Sequence, residues 1–362
     1  MNRSELIALG LLVCGLAACS GGSGTKSPPQ ADATVAVPLE VKLLAEPTTP
    51  PEPLEGVLEG ELSDRERGNY WRWVSQLYAP CSGIATSIAQ CVSEKKPCAS
   101  CEIAASFLAD RARAGDSQAD AITAFVARFG SDIKKVDLAD SPVRGNPDAP
   151  VTVVVWSDYE CPACGHAVPK IEKLLHDRKN DVRLVHKLYP LKSHTHSRPA
   201  ARAALAAKKQ GKYWEMEALL FAHQSALEDA DLEKYANEIQ LDMGKFKRDF
   251  ADPKADAIID RDRAEGDKHG LTGTPFILIN GREIDLGIFQ LDRDFLPWID
   301  AELRILKKEE ELRAVAGLGG ALTGQGLGPV SPLSTGVMPV AAPAASATPS
   351  ASSTASSPAQ KP

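Results

Sequence analysis

Three things are scarce in this 362-residue chain, and each scarcity closes off a class of function. Net positive charge is missing: 41 Lys and Arg stand against 48 Asp and Glu, for a formal charge of -7. Binding a phosphate backbone takes clustered Lys/Arg and a strong positive potential, so nucleic acid is not an expected partner. Long apolar runs are missing too. The stretch from Leu6 to Ala18 falls short of the ~20 residues that a membrane-spanning helix needs. A c-type haem signature is also absent, because it requires His directly after the second Cys of a Cys-x-x-Cys pair. Gly165 follows Cys164 here, and His166 comes one place late.

What is present starts with punctuation. The chain has 27 Gly and 26 Pro, more than the usual ~12% share, which points to flexible segments around folded ones. Its length allows two or three domains. Met1-Asn2-Arg3 followed by the apolar run has the form of a signal-peptide core. Leu16-Ala17-Ala18-Cys19 resembles the lipobox of bacterial lipoproteins. That likeness implies cleavage after residue 18 and a diacylglyceryl group on Cys19, with Ser20 favouring the outer membrane. The mature protein is then expected in the periplasm, anchored to a membrane through Cys19.

Composition divides the rest. Residues 19–60 read as a flexible Pro-rich tether, 61–133 as a Cys-containing helical domain, 140–308 as an α/β domain, and 316–362 as a disordered Ala/Pro/Ser/Gly tail. In the helical domain, Trp71, Trp73, Val74 and Leu77 mark one helix, and Ile103, Phe107 and Leu108 share a face of a second that Gly115 ends. Ser117 and Asp120 form a capping box for a third, on which Ile122, Phe125, Val126 and Phe129 recur at helical spacing.

From Ser141 the pattern changes. Val151–Val155 and Val182–Val185 read as buried strands flanking a helix from Pro162 to about Asp177. Several amphipathic helices follow between Ala200 and Leu271, including a core stripe of Leu219, Leu220, His223 and Leu227. Phe276–Ile279 is a third strand, and Asn280-Gly281 supplies a type I′ turn into Glu283-Ile284. A closing helix carries Phe295, Ile299, Leu303 and Leu306. The order specifies a mixed sheet with a helical insertion.

Cys161-Pro162-Ala163-Cys164 sits between the first strand and the helix it opens. Two intervening residues let the sulfurs close a disulfide across one helical turn. The first sulfur faces unpaired N–H groups and the positive end of the helix dipole, which favours thiolate over thiol. Cys161 is therefore expected as the exposed attacking sulfur and Cys164 as the buried resolving one. Pro162 suits the first helical turn, where no N–H donor is needed. A purely structural disulfide leaves Gly273-Thr274-Pro275-Phe276 unexplained, and a metal carrier using Cys161, Cys164 and His166 is the remaining alternative.

Those pieces, with Ala149-Pro150-Val151, Ser157-Asp158-Tyr159-Glu160, Pro190-Leu191 and Phe276–Gly281, resemble the DsbA-like periplasmic thiol–disulfide oxidoreductases. The resemblance runs from roughly Val143 to Leu306. It implies an α/β thioredoxin fold with a helical insertion, here preceded by a small all-α Cys-rich segment. It also implies a cis Pro275 facing the Cys pair, and Thr274, Pro275 and Pro162 as the surface that binds a client peptide. Expected partners are Cys-containing exported proteins and a membrane or periplasmic redox partner, with no cofactor and no metal. Oxidase, isomerase and reductase directions stay open. The alternative is a client- or metal-binding lipoprotein on the same fold without redox turnover.

Cys81, Cys91, Cys98 and Cys101 are separated by nine, six and two intervening residues. They carry structural disulfides of undetermined pairing, an auxiliary redox pair at Cys98–Cys101, or zinc. Cys98-Ala99-Ser100-Cys101 with Arg113–Ser117 and Val126–Gly130 weakly resembles CcmH-like helical proteins. Elsewhere, His194 and His196 read as loop residues before a capped helix. Glu160 and Lys187 read as surface charges, with tuning of the reactive sulfur as the alternative.

Overall fold

The computed structural model describes residues 42–46, 48, 52–57, 59–138 and 140–323. The expected signal peptide, the lipobox with Cys19 and everything past Thr323 lie outside the described residues.

The helical module holds α1 (Asp64–Gln76), α2 (Ile88–Ser93), α3 (Cys101–Arg113) and α4 (Gln118–Phe129). Ser63 opens α1 with a full capping box: the Glu66 carboxylate accepts from the Ser63 N–H at 2.8 Å while the Ser63 hydroxyl accepts from the Glu66 N–H. Ser117 caps α4 in the same way from one side, accepting from the Asp120 N–H at 3.2 Å. Tyr70, Trp73 and Val74 of α1 are buried, as are Ala104, Ala105 and Leu108 of α3, on which α1 packs. Full burial of a side chain such as Val74 or Leu108 contributes ~1.5–3 kcal/mol. Two disulfides staple this thin core, Cys81–Cys98 and Cys91–Cys101. Cys98 and Cys101 are thus not bonded to each other, and no free thiolate among the four is left for zinc.

Part of the expected tether is laid against the module. Leu44 N–H donates to the Gln76 carbonyl at 2.8 Å, Arg72 pairs with Glu46 at 2.8 Å, and Leu54 is buried. The apolar leucines scattered among the prolines explain why this stretch finds a surface to cover.

The α/β module is built on one five-stranded mixed sheet. Its elements are β1 (Val143–Gly145), β2 (Val151–Ser157), α5 (Pro162–Asp177), β3 (Val182–Leu188), the insertion helices α6 (Ser197–Lys208), α7 (Tyr213–Ala222), α8 (Asp229–Glu238), α9 (Met243–Phe250) and α10 (Pro253–Lys268), then β4 (Phe276–Ile279), β5 (Arg282–Glu283) and α11 (Leu291–Thr323). Strand order is β1-β3-β2-β4-β5, with β2 and β3 parallel and every other pair antiparallel. Central β2 is buried on both faces, which is why it reads as an unbroken Val run rather than an alternating one. Asn280 and Gly281 both have positive φ, 49° and 81°, as a type I′ turn requires. A Cβ on Gly281 would also lie 2.5 Å from the Lys134 carbonyl oxygen. This is the thioredoxin fold with a helical insertion, preceded by a helical Cys-rich segment.

The two modules share a core. Ala124 of α4 is buried with Val151, Val153 and Val155 of β2, Ile171 and Leu174 of α5, and Phe295, Trp298 and Ile299 of α11. Phe107 stacks edge-on to Phe129 and also meets Phe289, at 5.5 and 6.4 Å between centroids. Lys308 reaches back to Glu102 at 2.7 Å. The insertion has its own core, in which the small residues of α6, including Ala200, Ala203, Ala204 and Ala207, let α7 and α9 approach closely. Finally, α11 continues past Ala316 to Thr323, into the segment assigned by composition to the tail. No proline interrupts the chain there until Pro329.

Candidate active site

At the end of β2 the chain turns through Asp158-Tyr159-Glu160 and enters α5 with Cys161 at the N-cap and Pro162 at the first helical position. Cys161 has no side-chain capping bond, so its sulfur is left facing the head of the helix. The turn is held from three sides. The Asp158 carboxylate, itself buried, accepts from the Glu160 N–H and the Leu191 N–H, each at 2.7 Å, and lies 2.9 Å from His194 Nδ1. Gln224, just past α7, donates from Nε2 to the Tyr159 and Cys161 carbonyls at 2.9 and 2.8 Å. This approach needs Gly165, because a Cβ there would meet Gln224 Oε1 at 2.3 Å.

Opposite stands the loop before β4, where Thr274–Pro275 is a cis peptide bond. The Cys161 sulfur lies 3.4 Å from the Thr274 carbonyl oxygen, to which its thiol donates. Cys161 and Cys164 are both unbonded to any other sulfur. The sequence reading expected an exposed Cys161. The residue keeps only 6% of its surface against 1% for Cys164, because the Thr274-Pro275 loop closes over it. The two thiols differ sharply in acidity. Cys161 is held down at about 5, chiefly by the Cys164 thiol donating to it, against partial burial and with help from Thr274 and the N–H groups of Cys164 and Ala163. Cys164 is pushed up, first by that same bond to Cys161 and then by burial.

Behind the cysteines is a cavity with about 20 Å³ for a water's centre, lined by Cys164, Pro275, Ser157, His186, Glu217 and Phe221 among others. A space of this size holds about one water. His186 is 2% exposed and bridges the cavity's polar end. Its Nε2 pairs with the Ser157 hydroxyl, and its Nδ1 lies 2.8 Å from the Tyr213 hydroxyl and 3.0 Å from Glu217 Oε1. Tyr213 in turn meets Tyr159 at 3.1 Å, and burial raises the pKa of both phenols.

Sequence reasoning placed Cys161, Pro162, Cys164, Thr274 and Pro275 in this one site, and they converge there. It missed His186, Glu217 and Gln224, which carry no local motif and come from β3 and the insertion. Lys187 is not a surface charge. It is fully buried, with Nζ 2.5 Å from the Asp137 carbonyl, 3.0 Å from Glu265 and 3.3 Å from Asp262. It follows His186 in β3 and so points to the opposite face of the sheet, away from the cavity. Glu160 accepts from the His196 N–H at 2.9 Å. His194 and His196 therefore serve different carboxylates and form no joint chelate. Among the described residues the one grouping with metal-ligand spacing is Cys91, Cys98 and Cys101, all engaged in disulfides.

Residues 137–293 match the thioredoxin family model. Among curated proteins, the chain is 43% identical over 148 residues to a Na(+)/H(+) antiporter NhaA 3 of Salinispora tropica, covering 41% of this chain and 22% of that protein. A Na(+)/H(+) antiporter NhaA 1 of a Mycobacterium species is 37% identical over 154 residues, covering 41% and 25%. The chain thus spans about a quarter of the length of the curated relatives it matches, and among its described residues no helix is long and apolar enough to cross a membrane. Among solved structures, a thioredoxin-like oxidoreductase from Silicibacter pomeroyi is 33% identical, covering 45% of this chain and 91% of that one, with a TM-score of 0.39. The oxidised BdbD of Bacillus subtilis is 24% identical, covering 48% and 97%, with a TM-score of 0.43. The match to the thioredoxin family model therefore lies over residues 137–293, the segment that carries the sheet, the cysteine pair and the Thr274-Pro275 loop.

Proposed function

We propose that the chain is an extracytoplasmic protein thiol–disulfide oxidoreductase acting on cysteines of exported proteins. The observation that carries this reading is the pairing of two unbonded cysteines across one turn at the head of α5, the first of them against the Thr274 carbonyl. A thiolate, not a thiol, attacks a disulfide, and Cys161, held at about 5, is thiolate at neutral pH.

In the reducing direction, the Cys161 sulfur attacks a client disulfide, releasing one client sulfur and forming a mixed disulfide. Cys164 then attacks Cys161 Sγ, the Cys161–Cys164 bond forms, and the second client sulfur leaves as thiolate. Running the steps backwards oxidises a client dithiol. Cys164 must lose its proton to attack, and its thiol is the less acidic of the two. The cavity behind it offers His186 and Glu217, through a water, as the acceptor. The client strand lies along Thr274 and Pro275, with Pro162 at the rim. A lipid on Cys19 would hold the enzyme at a periplasmic membrane face, the outer membrane favoured, and a membrane or periplasmic redox partner would reset the pair.

Exchange with a model disulfide tests the reading. Cys161→Ser is expected to abolish it, and Cys164→Ser to accumulate mixed disulfides. Full insulin reduction by Cys161→Ser would overturn it. Metabolic palmitate labelling that vanishes in Cys19→Ser tests the anchor.

A further inference from the structure

The four cysteines of the helical module are arranged for more than two independent staples. The sulfurs of Cys91, Cys98 and Cys101 all lie within 4.8 Å of one another, although Cys98 is bonded to Cys81 and Cys91 to Cys101. The two bridges therefore sit side by side, with Cys98 Sγ beside both sulfurs of the neighbouring bond. Their accessibility is unequal. Cys81 is half-buried on a turn whose next residues, Ser82 and Gly83, are exposed, while Cys91, Cys98 and Cys101 keep 1%, 5% and 2% of their surfaces. A thiol from solution reaches this cluster at Cys81 first.

Where the electrons go next follows from the helices. Cys101 is the first residue of α3, a helix of 13 residues, so its sulfur lies at the end where free N–H groups and the helix dipole stabilise a thiolate. Cys91 lies in the last turn of α2, where the dipole has the opposite sign. The better leaving group of the Cys91–Cys101 bond is Cys101, and disulfide exchange proceeds faster when the leaving thiol is the more acidic one.

We propose that the module is a second redox unit, in which a dithiol reductant entering at Cys81 drives the disulfide to migrate from Cys91–Cys101 to Cys91–Cys98. One thiolate of the dithiol attacks Cys81 Sγ, the Cys81–Cys98 bond breaks, and its electron pair leaves on Cys98. The second thiol of the reductant resolves the mixed disulfide, leaving Cys81 as a thiol and the reductant as its own disulfide. Cys98 then attacks Cys91 Sγ, the Cys91–Cys98 bond forms, and the Cys91–Cys101 bond breaks with its electron pair on Cys101. Two electrons and two protons have passed from the dithiol to Cys81 and Cys101, and one disulfide remains throughout. This relay is independent of the Cys161–Cys164 chemistry.

The experiment uses the full chain, limiting dithiothreitol, acid quenching, and alkylation at each cysteine mapped by mass spectrometry. Cys161 and Cys164 are read separately on their own peptide. The expected two-electron state of the module carries label on Cys81 and Cys101 and yields a Cys91–Cys98 cross-linked peptide. Label on Cys81 and Cys98 with Cys91–Cys101 intact would overturn the proposal, as would label on Cys91 and Cys101 with Cys81–Cys98 intact. A second route needs no reductant. In Cys81→Ser the unpaired Cys98 should displace Cys101, so that Cys101 is the alkylated thiol at least tenfold more often than Cys98. Cys98 remaining the free thiol would refute the migration.

Discussion

The sulfur of Cys161 and the carbonyl oxygen of Thr274, 113 residues apart in sequence, stand 3.4 Å from each other. A carbonyl accepts from a thiol and offers a thiolate nothing, so this contact belongs to the protonated state. The Thr274 hydroxyl is different. It is buried and has no hydrogen-bond partner, so it is free to donate when Cys161 ionises, and Thr274 is one of the causes of the lowered pKa.

Thr274→Val should therefore raise the Cys161 pKa above about 5 while leaving the fold intact. The substitution removes a buried unpaired hydroxyl, whose desolvation costs ~1–3 kcal/mol, so denaturant stability should hold or rise. The measurement is the pH dependence of Cys161 alkylation in both proteins. An unchanged midpoint would show that the hydroxyl gives the thiolate nothing.

The acidity of Cys161 also sets a sign for stability. In the dithiol form it titrates at about 5 when folded and near the ordinary 9.0 when unfolded. Between those values the unfolded chain binds the extra proton, so stability rises with pH. The contribution is lost as pH falls through about 5. Cys164, shifted upward, stays protonated in both states below pH ~8 and adds no slope there. The reduced protein should gain melting temperature from pH 5 to 8 relative to Cys161→Ala. A thiolate-stabilised dithiol also makes the disulfide easier to reduce, so the 161/164 pair should be more oxidising than ~-270 mV, shifted toward ~-120 mV. Equilibration with glutathione measures this directly.

Which features were legible follows from where their causes lie. The α5 helix from Pro162 to Asp177 could be read because a proline at its first position and the cysteine spacing are local signals. The same holds for β4 and its Asn280-Gly281 turn. The edge strand β1 was not legible: its residues Val143–Gly145 are exposed and become a strand only by pairing with β3. Glu217 and Lys187 look like solvated charges in sequence, and only the insertion and α10 closing over the sheet bury them. The pairing of the four module cysteines is likewise set by how α2 and α3 meet, which no spacing encodes.

Glu217 should matter to the second chemical step and not the first. Its carboxylate is 3.0 Å from His186, across a cavity that also reaches Cys164. General-base help in such steps is worth ~10²–10⁴-fold. Glu217→Gln should slow resolution of a preformed mixed disulfide at Cys161 by about tenfold or more, while the rate of Cys161 alkylation stays within twofold. Equal slowing of both steps would mean that the residue only supports the fold.

The contact between the modules rests on a buried charge. Arg128 of α4 is 2% exposed, with Nη1 2.8 Å from Glu302 of α11. Its guanidinium lies over the rings of Phe129 and Trp298, 4.9 and 4.7 Å from their centroids. Burial lowers its pKa to about 10, which still leaves it charged at neutral pH. Removing the carboxylate strands that charge, so Glu302→Gln should cost ~3–5 kcal/mol in urea unfolding. Replacing both partners with apolar residues, Arg128→Met with Glu302→Leu, should recover most of the loss, because the desolvation penalty disappears with the charge. The two outcomes separate pairing from packing: a double variant no more stable than Glu302→Gln would mean that the guanidinium's stacking on Phe129 and Trp298, and not its ion pair, holds the helical module to the sheet.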